Sequence, residues 1–311
     1  MLTDKILRIG TRSSKLAIAQ SEWIKGEIIA RHPDVQVELV MIKTKGDKIL
    51  DSPLSKLGGK GLFIKEIEEA LLRKEVDLAV HSIKDVPADL PEGLYLPVFP
   101  EREDPRDAFI SINYNSIVDL PKGAKVGTGS LRRSSQLSNI RPDLDVISIR
   151  GNVDTRLRRL ESGDLQAVIL AAAGLKRLGL SDKIRQILPS DDFLPAIGQG
   201  SLGLEVRQDD NSIIDLLNFL NHKPTELTIK AERAFLRRLE GGCQIPIAGH
   251  GILEGDNILL KGMVSELDGS RVIRDEVKGP KDQPKELGST LAEHLLASGA
   301  DDILEHIYGK R

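Results

Sequence analysis

Apolar positions along the chain follow two alternating periods. "ILRIG" is a short apolar run that reads as a strand. "TRSSKLAIAQSEWIKGEIIA" then takes helical spacing, with Ser13 or Ser14 as its cap and Leu16, Ala19, Trp23 and Ile24 on one face. "DVQVELVMIKT" alternates and predicts a strand, "FIKEIEEALLRKEV" an amphipathic helix through Phe63, Ile67, Ala70 and Leu71, and "DLAVHSI" a buried strand. Strand–helix alternation of this kind implies a mostly parallel sheet flanked by helices. The pattern then recurs in "AKVGTGSLRRSSQL", "LDVISIRGNVDTRLRRLESG" and "LQAVILAAAGLKRLGL", each a strand leading through a turn into a helix.

The two blocks open alike, with "IGTRS" at Ile9–Ser13 and "VGTGS" at Val126–Ser130. Gly-Thr-x-Ser between a strand and a helix aims backbone N–H groups and hydroxyls at one point, where the helix dipole favours an anion. One copy reads equally as plain helix capping. Two copies at the same topological place imply two similar lobes facing one anionic ligand, held at the carboxyl ends of their strands. "FPEREDPRDA" (99–108) and "PSDDFLPAIGQGSLG" (189–203) read as crossings between the lobes, and "LGLEVR" (202–207) as a strand returning to the first. From about residue 222 the texture changes. A helix, "TELTIKAERAFLRRLEG", leads to a loop with the single cysteine, followed by strands "NILLKGMVSE" and "SRVIRDEVKG" around Asp268-Gly269 and a final helix. The expected fold is α/β in three domains: a first lobe from 1–100 with 201–218, a second lobe at 106–195, and a smaller α+β domain at 222–311.

Charge and composition narrow the chemistry. The chain has 44 Lys and Arg against 47 Asp and Glu, a net charge of −3, and only 3% aromatic residues. A general nucleic-acid binder carries a basic excess and stacking aromatics, so that class is excluded and any anion site is local. No apolar run reaches membrane-spanning length and "MLTDKILRIGTRSSK" has no apolar signal core, so a cytoplasmic protein without a membrane partner is expected. Yet residues 128–159 hold seven arginines, no lysine and three acids. Guanidinium is a planar fork that grips carboxylate or phosphate through paired hydrogen bonds. Arg132 and Arg133 after "VGTGS", Arg150 in "SIRGN" and Arg156 one helical turn on are the candidates, with Arg12 in the other Gly-Thr-x-Ser turn. The implied ligand carries several anionic groups.

Three further stretches stand out. "HSIKDVP" (81–87) puts His81, Lys84 and Asp85 at the end of a strand, although Asp and Pro also suit an ordinary turn there. "KTKGDKILDSPLSKLGGKGLF" (43–63), with four glycines and five lysines, reads as a lid or as a disordered loop. Cys243, in "RRLEGGCQIPIAGH", is the only cysteine, which rules out an internal disulfide; no histidine cluster accompanies it for a metal. A small buried hydrophobe and an exposed nucleophile or attachment point both remain open for it.

Seven stretches, "RIGTRSSKLA", "GGKGLFIKEIE", "VHSIKDVP", "VGTGSLRRSSQL", "IRGNVDTRL", "PAIGQGSLGLE" and "LEGGCQIPIAG", run in order from Arg8 to Gly249 and resemble the motifs of the porphobilinogen deaminase (hydroxymethylbilane synthase) family. The resemblance implies two lobes like those of periplasmic binding proteins and a third domain carrying a dipyrromethane cofactor on Cys243. It implies a monomeric transferase of porphyrin and haem biosynthesis acting on porphobilinogen, with no metal. Ammonia is lost from each porphobilinogen to give an azafulvene cation, which the free end of the tethered chain attacks. Four rounds and a hydrolysis release hydroxymethylbilane. By the same resemblance Asp85 is catalytic, and Ser82, Lys84, Asp85, Thr128, Ser130, Arg132, Arg133 and Gly174 bind cofactor. Arg12, Ser13, Phe63, Arg150, Arg156 and Gln199 bind substrate, and Lys56, Gly58 and Lys60 belong to the lid.

Overall fold

The apolar run that opens the chain becomes strand β1, Leu7–Arg12, and the alternating stretch after it becomes β2, Val37–Ile42. The structure, a computed structural model, describes residues 6–45, 64–240 and 245–309. The strands that follow are β3 (Leu78–Ser82), β4 (Leu94–Val98), β5 (Asp107–Ile110), β6 (Lys125–Thr128) and β7 (Asp145–Ser148). Then come β8 (Ala167–Ala171), β9 (Gln186–Ile187), β10 (Leu202–Arg207), β11 (Ile247–Glu254), β12 (Asn257–Ser265) and β13 (Val272–Pro280). They form three sheets, ordered β2-β1-β3-β10-β4, β7-β6-β8-β5-β9 and β11-β12-β13. The chain divides into two units, Met1–Glu103 with Ser201–Glu226 and Asp104–Gly200 with Leu227–Arg311.

In the first unit β1 runs parallel to β2 and β3, and β10 pairs antiparallel with β3 and β4. The stretch "LGLEVR" therefore re-enters the first sheet. Its six residues are all buried, as a strand covered on both faces requires. Helix Lys15–Arg31 begins at Ser14, whose hydroxyl accepts the Ala17 N–H at 3.3 Å. Its buried positions are Gln20, Ser21, Ile24 and Ile28, whereas Trp23 is 45% exposed. The buried face is thus rotated from the one the apolar spacing predicts, because two polar residues lie under it and Gln20 hydrogen-bonds Ser82 at 2.9 Å.

The second unit repeats the plan. β6 runs parallel to β7 and β8, and the antiparallel strand beside β8 is β5, which begins at Asp107, inside the stretch expected to be the first crossing. The same unit contains the three-stranded antiparallel sheet, on which helices Lys223–Arg238, Pro284–Leu295 and Asp301–Tyr308 pack through a core that includes Phe235, Leu291 and Ile303. The expected hairpin turns at Asp268-Gly269, and Gly269 takes φ 76°. Strand β11 is an element the sequence reading lacks. Its glycines are close-approach positions: a Cβ on Gly249 would lie 2.5 Å from Ile197 Cδ1. The expected single final helix is two helices, broken where Gly299 adopts φ 95°. Among the described residues no helix is long and apolar enough to cross a membrane.

Two glycine substitutions separate crowding from helix propensity. A Cβ on Gly288 would lie 2.3 Å from the Ala231 carbonyl oxygen of the neighbouring helix, whereas one on Gly26 would meet nothing within 4 Å. Gly288→Ala should lower the unfolding free energy by about 1–3 kcal/mol through overpacking. Gly26→Ala, inside helix Lys15–Arg31, should raise it by up to about 1 kcal/mol. Urea midpoints at constant slope check both signs.

Candidate active site

The first unit gathers its polar groups at the carboxyl ends of β1 and β3. Arg12 ends β1, and Ser13 follows in the turn before the helix. Ser82 ends β3, and Ile83–Asp85 turns the chain in a single short 3-10 segment carrying Lys84 and Asp85. Ile83 is 1% exposed and its N–H donates to the Ser201 carbonyl at 3.0 Å, which anchors the turn to the strand beside it. Arg12, Gln20, His81, Ser82 and Asp85 line one pocket, with Leu16, Ile64 and Val80 among its apolar walls. Asp85 is exposed there, and no described side chain bonds its carboxylate. Gln20 is a site residue the sequence reading missed. Its only signal was a glutamine inside a helix otherwise read as amphipathic.

The second unit builds around a buried carboxylate. Asp107, the first residue of β5, is fully buried. Arg132 Nη1 donates to Asp107 Oδ2 at 2.8 Å and to the Leu194 carbonyl at 2.7 Å. Arg133 Nε donates to Asp107 Oδ1 at 2.8 Å and its Nη2 to Gln199 Oε1 at 3.1 Å. Gln199 Nε2 in turn donates to Asp107 Oδ1 at 2.9 Å and to the Pro105 carbonyl at 2.6 Å. Burial pushes the Asp107 carboxyl up, but the guanidiniums of Arg132 and Arg133 and the Gln199 amide outweigh it and hold the group below the ordinary carboxylate range. Burial also pulls the Arg132 guanidinium below its ordinary value, against the attraction of Asp107. The two arginines are 3% and 5% exposed and sit in the first turn of helix Leu131–Ile140 rather than in an open turn. The sequence reading missed Asp107, whose one visible sign was an acid at the end of the first crossing.

The other donors of this unit sit nearby in sequence order. Thr128 is 2% exposed and its hydroxyl accepts the Ser130 N–H at 3.3 Å; Ser130 is the helix N-cap residue but its own hydroxyl makes no cap bond. Arg150 follows β7, and Arg156, in helix Val153–Glu161, donates from Nε to the Gly151 carbonyl at 3.0 Å. Gly129 has to be glycine here, because a Cβ would lie 2.5 Å from the Ile149 carbonyl oxygen and 3.3 Å from Arg156 Nη2. Gly174 is buried in helix Ala172–Arg177, which follows β8 as the Asp85 turn follows β3. Cys243, Phe63, Lys56, Gly58 and Lys60 lie outside the described residues. Leu239 and Ile245, which lie on either side of residues 241–244 in the sequence, are 1% and 3% exposed. Among the described residues no group of three or more His, Cys, Asp or Glu is placed to hold a metal ion.

Residues 7–215 match the family model "Porphobilinogen deaminase, dipyromethane cofactor binding domain", and residues 226–297 match "Porphobilinogen deaminase, C-terminal domain". The chain belongs to the porphobilinogen deaminase family. A porphobilinogen deaminase of Trichlorobacter lovleyi is 56% identical over 99% of this chain and 98% of its own. One of Geobacter sulfurreducens is 56% identical over 97% of this chain and 95% of its own. One of Nitratidesulfovibrio vulgaris (strain DSM 19637 / Miyazaki F) is 54% identical over 98% of each. The expected family, transferase class and dipyrromethane cofactor all stand, as does the α/β fold with a smaller C-terminal sheet domain.

The residues present fit a dipyrromethane, whose rings carry carboxylates. Two guanidiniums share one carboxylate out of water, and Arg132 Nε is buried without a partner among the described residues. A buried donor without an acceptor is costly, and a ligand carboxylate supplies one. The network also predicts its own fragility. Asp107→Asn keeps the shape but leaves two buried cations without an anion, and should destabilise the unit by about 3–5 kcal/mol. Chemical denaturation of the variant checks this; an unchanged midpoint would mean the guanidiniums find their balance elsewhere.

Proposed function

We propose that the chain joins four porphobilinogen molecules head to tail, with loss of ammonia each time, on a dipyrromethane primer tethered to Cys243, and then releases hydroxymethylbilane by hydrolysis. The observation that carries this reading is the Asp85 carboxylate, exposed in a pocket it shares with Arg12 and Ser82 and bonded to no described side chain. A structural turn aspartate would be expected to cap or pair locally. An acceptor left open between donors is suited to a ligand that brings both N–H groups and carboxylates, and pyrroles with acetate and propionate arms do so.

The dipyrromethane, when bound, supplies the ring carbon to which new units are joined. The chain's own residues do the rest. Asp85 accepts pyrrole N–H hydrogen bonds and opposes the positive charge that develops as ammonia leaves, an electrostatic role that needs no reorganisation at the moment of reaction. Lys84, Ser82, Thr128, Ser130, Arg132 and Arg133 hold the cofactor's carboxylates, with Gly174 leaving room. Arg12, Ser13, Arg150 and Arg156 take those of the incoming substrate. Gln199 bridges Asp107 and Arg133 and so fixes the guanidinium's direction. The chain acts as a monomer in this reading, as the resemblance to the family implies. Tethering through Cys243 requires a reduced thiol, which suits the cytoplasm.

Intact mass tests the tether. The purified chain should exceed its sequence mass by one dipyrromethane and should colour with an aldehyde reagent for pyrroles in mild acid. Cys243→Ser should fold, lack both signals and lose nearly all activity; an equally coloured, active variant would refute the tether. Asp85→Asn, loaded with cofactor, should form its first substrate adduct about 10²–10³ more slowly in single-turnover experiments. A wild-type rate would reduce Asp85 to a turn residue.

A further inference from the structure

The strand that leads into the Asp85 turn, the strand beside it and helix Lys65–Leu72 carry buried titratable groups with no role in holding cofactor or substrate. His81 precedes Ser82 on β3 and lies opposite Gly203 of β10. Glu205, two residues further along β10, is on the same face, the diagonal relation in which long side chains of paired strands meet. His81 Nε2 and Glu205 Oε2 are 2.8 Å apart, and both side chains are nearly inaccessible, at 4% and 0% exposure. Glu205 Oε1 is buried with no partner among the described residues. Glu68, 7% exposed, comes from helix Lys65–Leu72, which also supplies Ile67 to the pocket of Asp85.

We propose that Glu68, Glu205 and His81 form a charge-bearing support for the strand that leads into the Asp85 turn, with His81 positioning the strand end and the Glu68 carboxylate favouring the cation in the pocket. The proposal rests on the functional reading above. Its physical basis is that a cation develops in the pocket when ammonia leaves. A second negative charge on the helix packed against that strand favours the cation, provided the charge is buried and hence weakly screened. Burial pushes the Glu68 carboxyl up to about 7; the charge of Glu205 and, to a lesser degree, that of Glu69 raise it too, and His81 opposes them. Other charges on the strands packed against that helix already have partners. Arg207 of β10 donates to the Leu71 and Val76 carbonyls and to Asp210, and Arg8 of β1 pairs with Asp77. Arg12 of β1 lines the pocket itself, with Lys84 and Asp85 on the turn after β3.

The test is the kcat–pH profile of cofactor-loaded protein, with KM measured alongside. Glutamine mimics the protonated carboxyl, so Glu68→Gln should fold. In wild type kcat should rise as pH passes through about 7. In Glu68→Gln kcat should stay at the acid plateau throughout, with KM unchanged, while Glu69→Gln should keep the rise. His81→Gln should lose up to about 10² in kcat at every pH, as displaced catalytic groups do. A Glu68→Gln profile that superimposes on wild type would overturn the proposal while active, loaded wild type leaves the functional reading standing. Failure of that reading shows separately, as wild type without cofactor mass or activity. A second arm needs no activity. Glu68 holds its proton more tightly folded than unfolded, so wild-type stability should fall as pH rises from about 4.5 to about 7 and Glu68→Gln should remove that part of the slope. Identical slopes would also overturn it.

Discussion

Two buried guanidiniums around one buried carboxylate are the interaction on which the second unit depends. Arg132 and Arg133 both reach Asp107, and all three are nearly inaccessible to water. A buried ion pair barely repays its desolvation unless every donor and acceptor is used. Here the charge sum is positive, and Arg132 Nε is left over. Such a site costs stability until an anion completes it, which is how a fold stores affinity for a carboxylate-bearing group. Asp107 also ties β5 to the second crossing, because Gln199 bonds the same carboxylate. One acid therefore orients both arginines and fixes the segment that leads into β10.

The donors differ between the units although the backbone plan repeats. In the first unit the third position of Gly-Thr-x-Ser is Arg12, a cation carried by the last residue of β1. In the second it is Gly129, and the missing side chain makes room for the guanidinium of Arg156, which arrives from the next helix. The same kind of charge is thus delivered to the same turn by different elements. The ends of β3 and β8 diverge likewise: one leads to the exposed Asp85 and the other directly into a helix with buried Gly174. A duplicated scaffold can hold an acid in one half and donors in the other because strand ends tolerate such changes while strand interiors do not.

Much of this was legible in the residues. The paired Gly-Thr-x-Ser turns, the return of "LGLEVR" to the first sheet and the Asp268-Gly269 hairpin all follow from local chemistry, in which turn residues and period state the backbone path. What escaped was tertiary. Helix Lys15–Arg31 buries Gln20 and Ser21 and exposes Trp23, so apolar spacing pointed to the wrong face. Strand β11 hid because Gly249 and Gly251 are strand residues only where packing leaves no room for a Cβ. Asp107 lay inside a charged, proline-rich crossing, where no pattern distinguishes a buried acid from a solvated one.

The buried charge excess around Asp107 calls for an anion, and the cofactor's carboxylates would complete it. The most direct measurement is the melting temperature of the chain with and without tethered dipyrromethane, in wild type and in Arg132→Met. Wild type should gain several degrees on loading, about 2–4 °C for each kcal/mol of new interaction in a domain of 150–250 residues, and Arg132→Met clearly less. Equal gains in both proteins, or none in either, would contradict it.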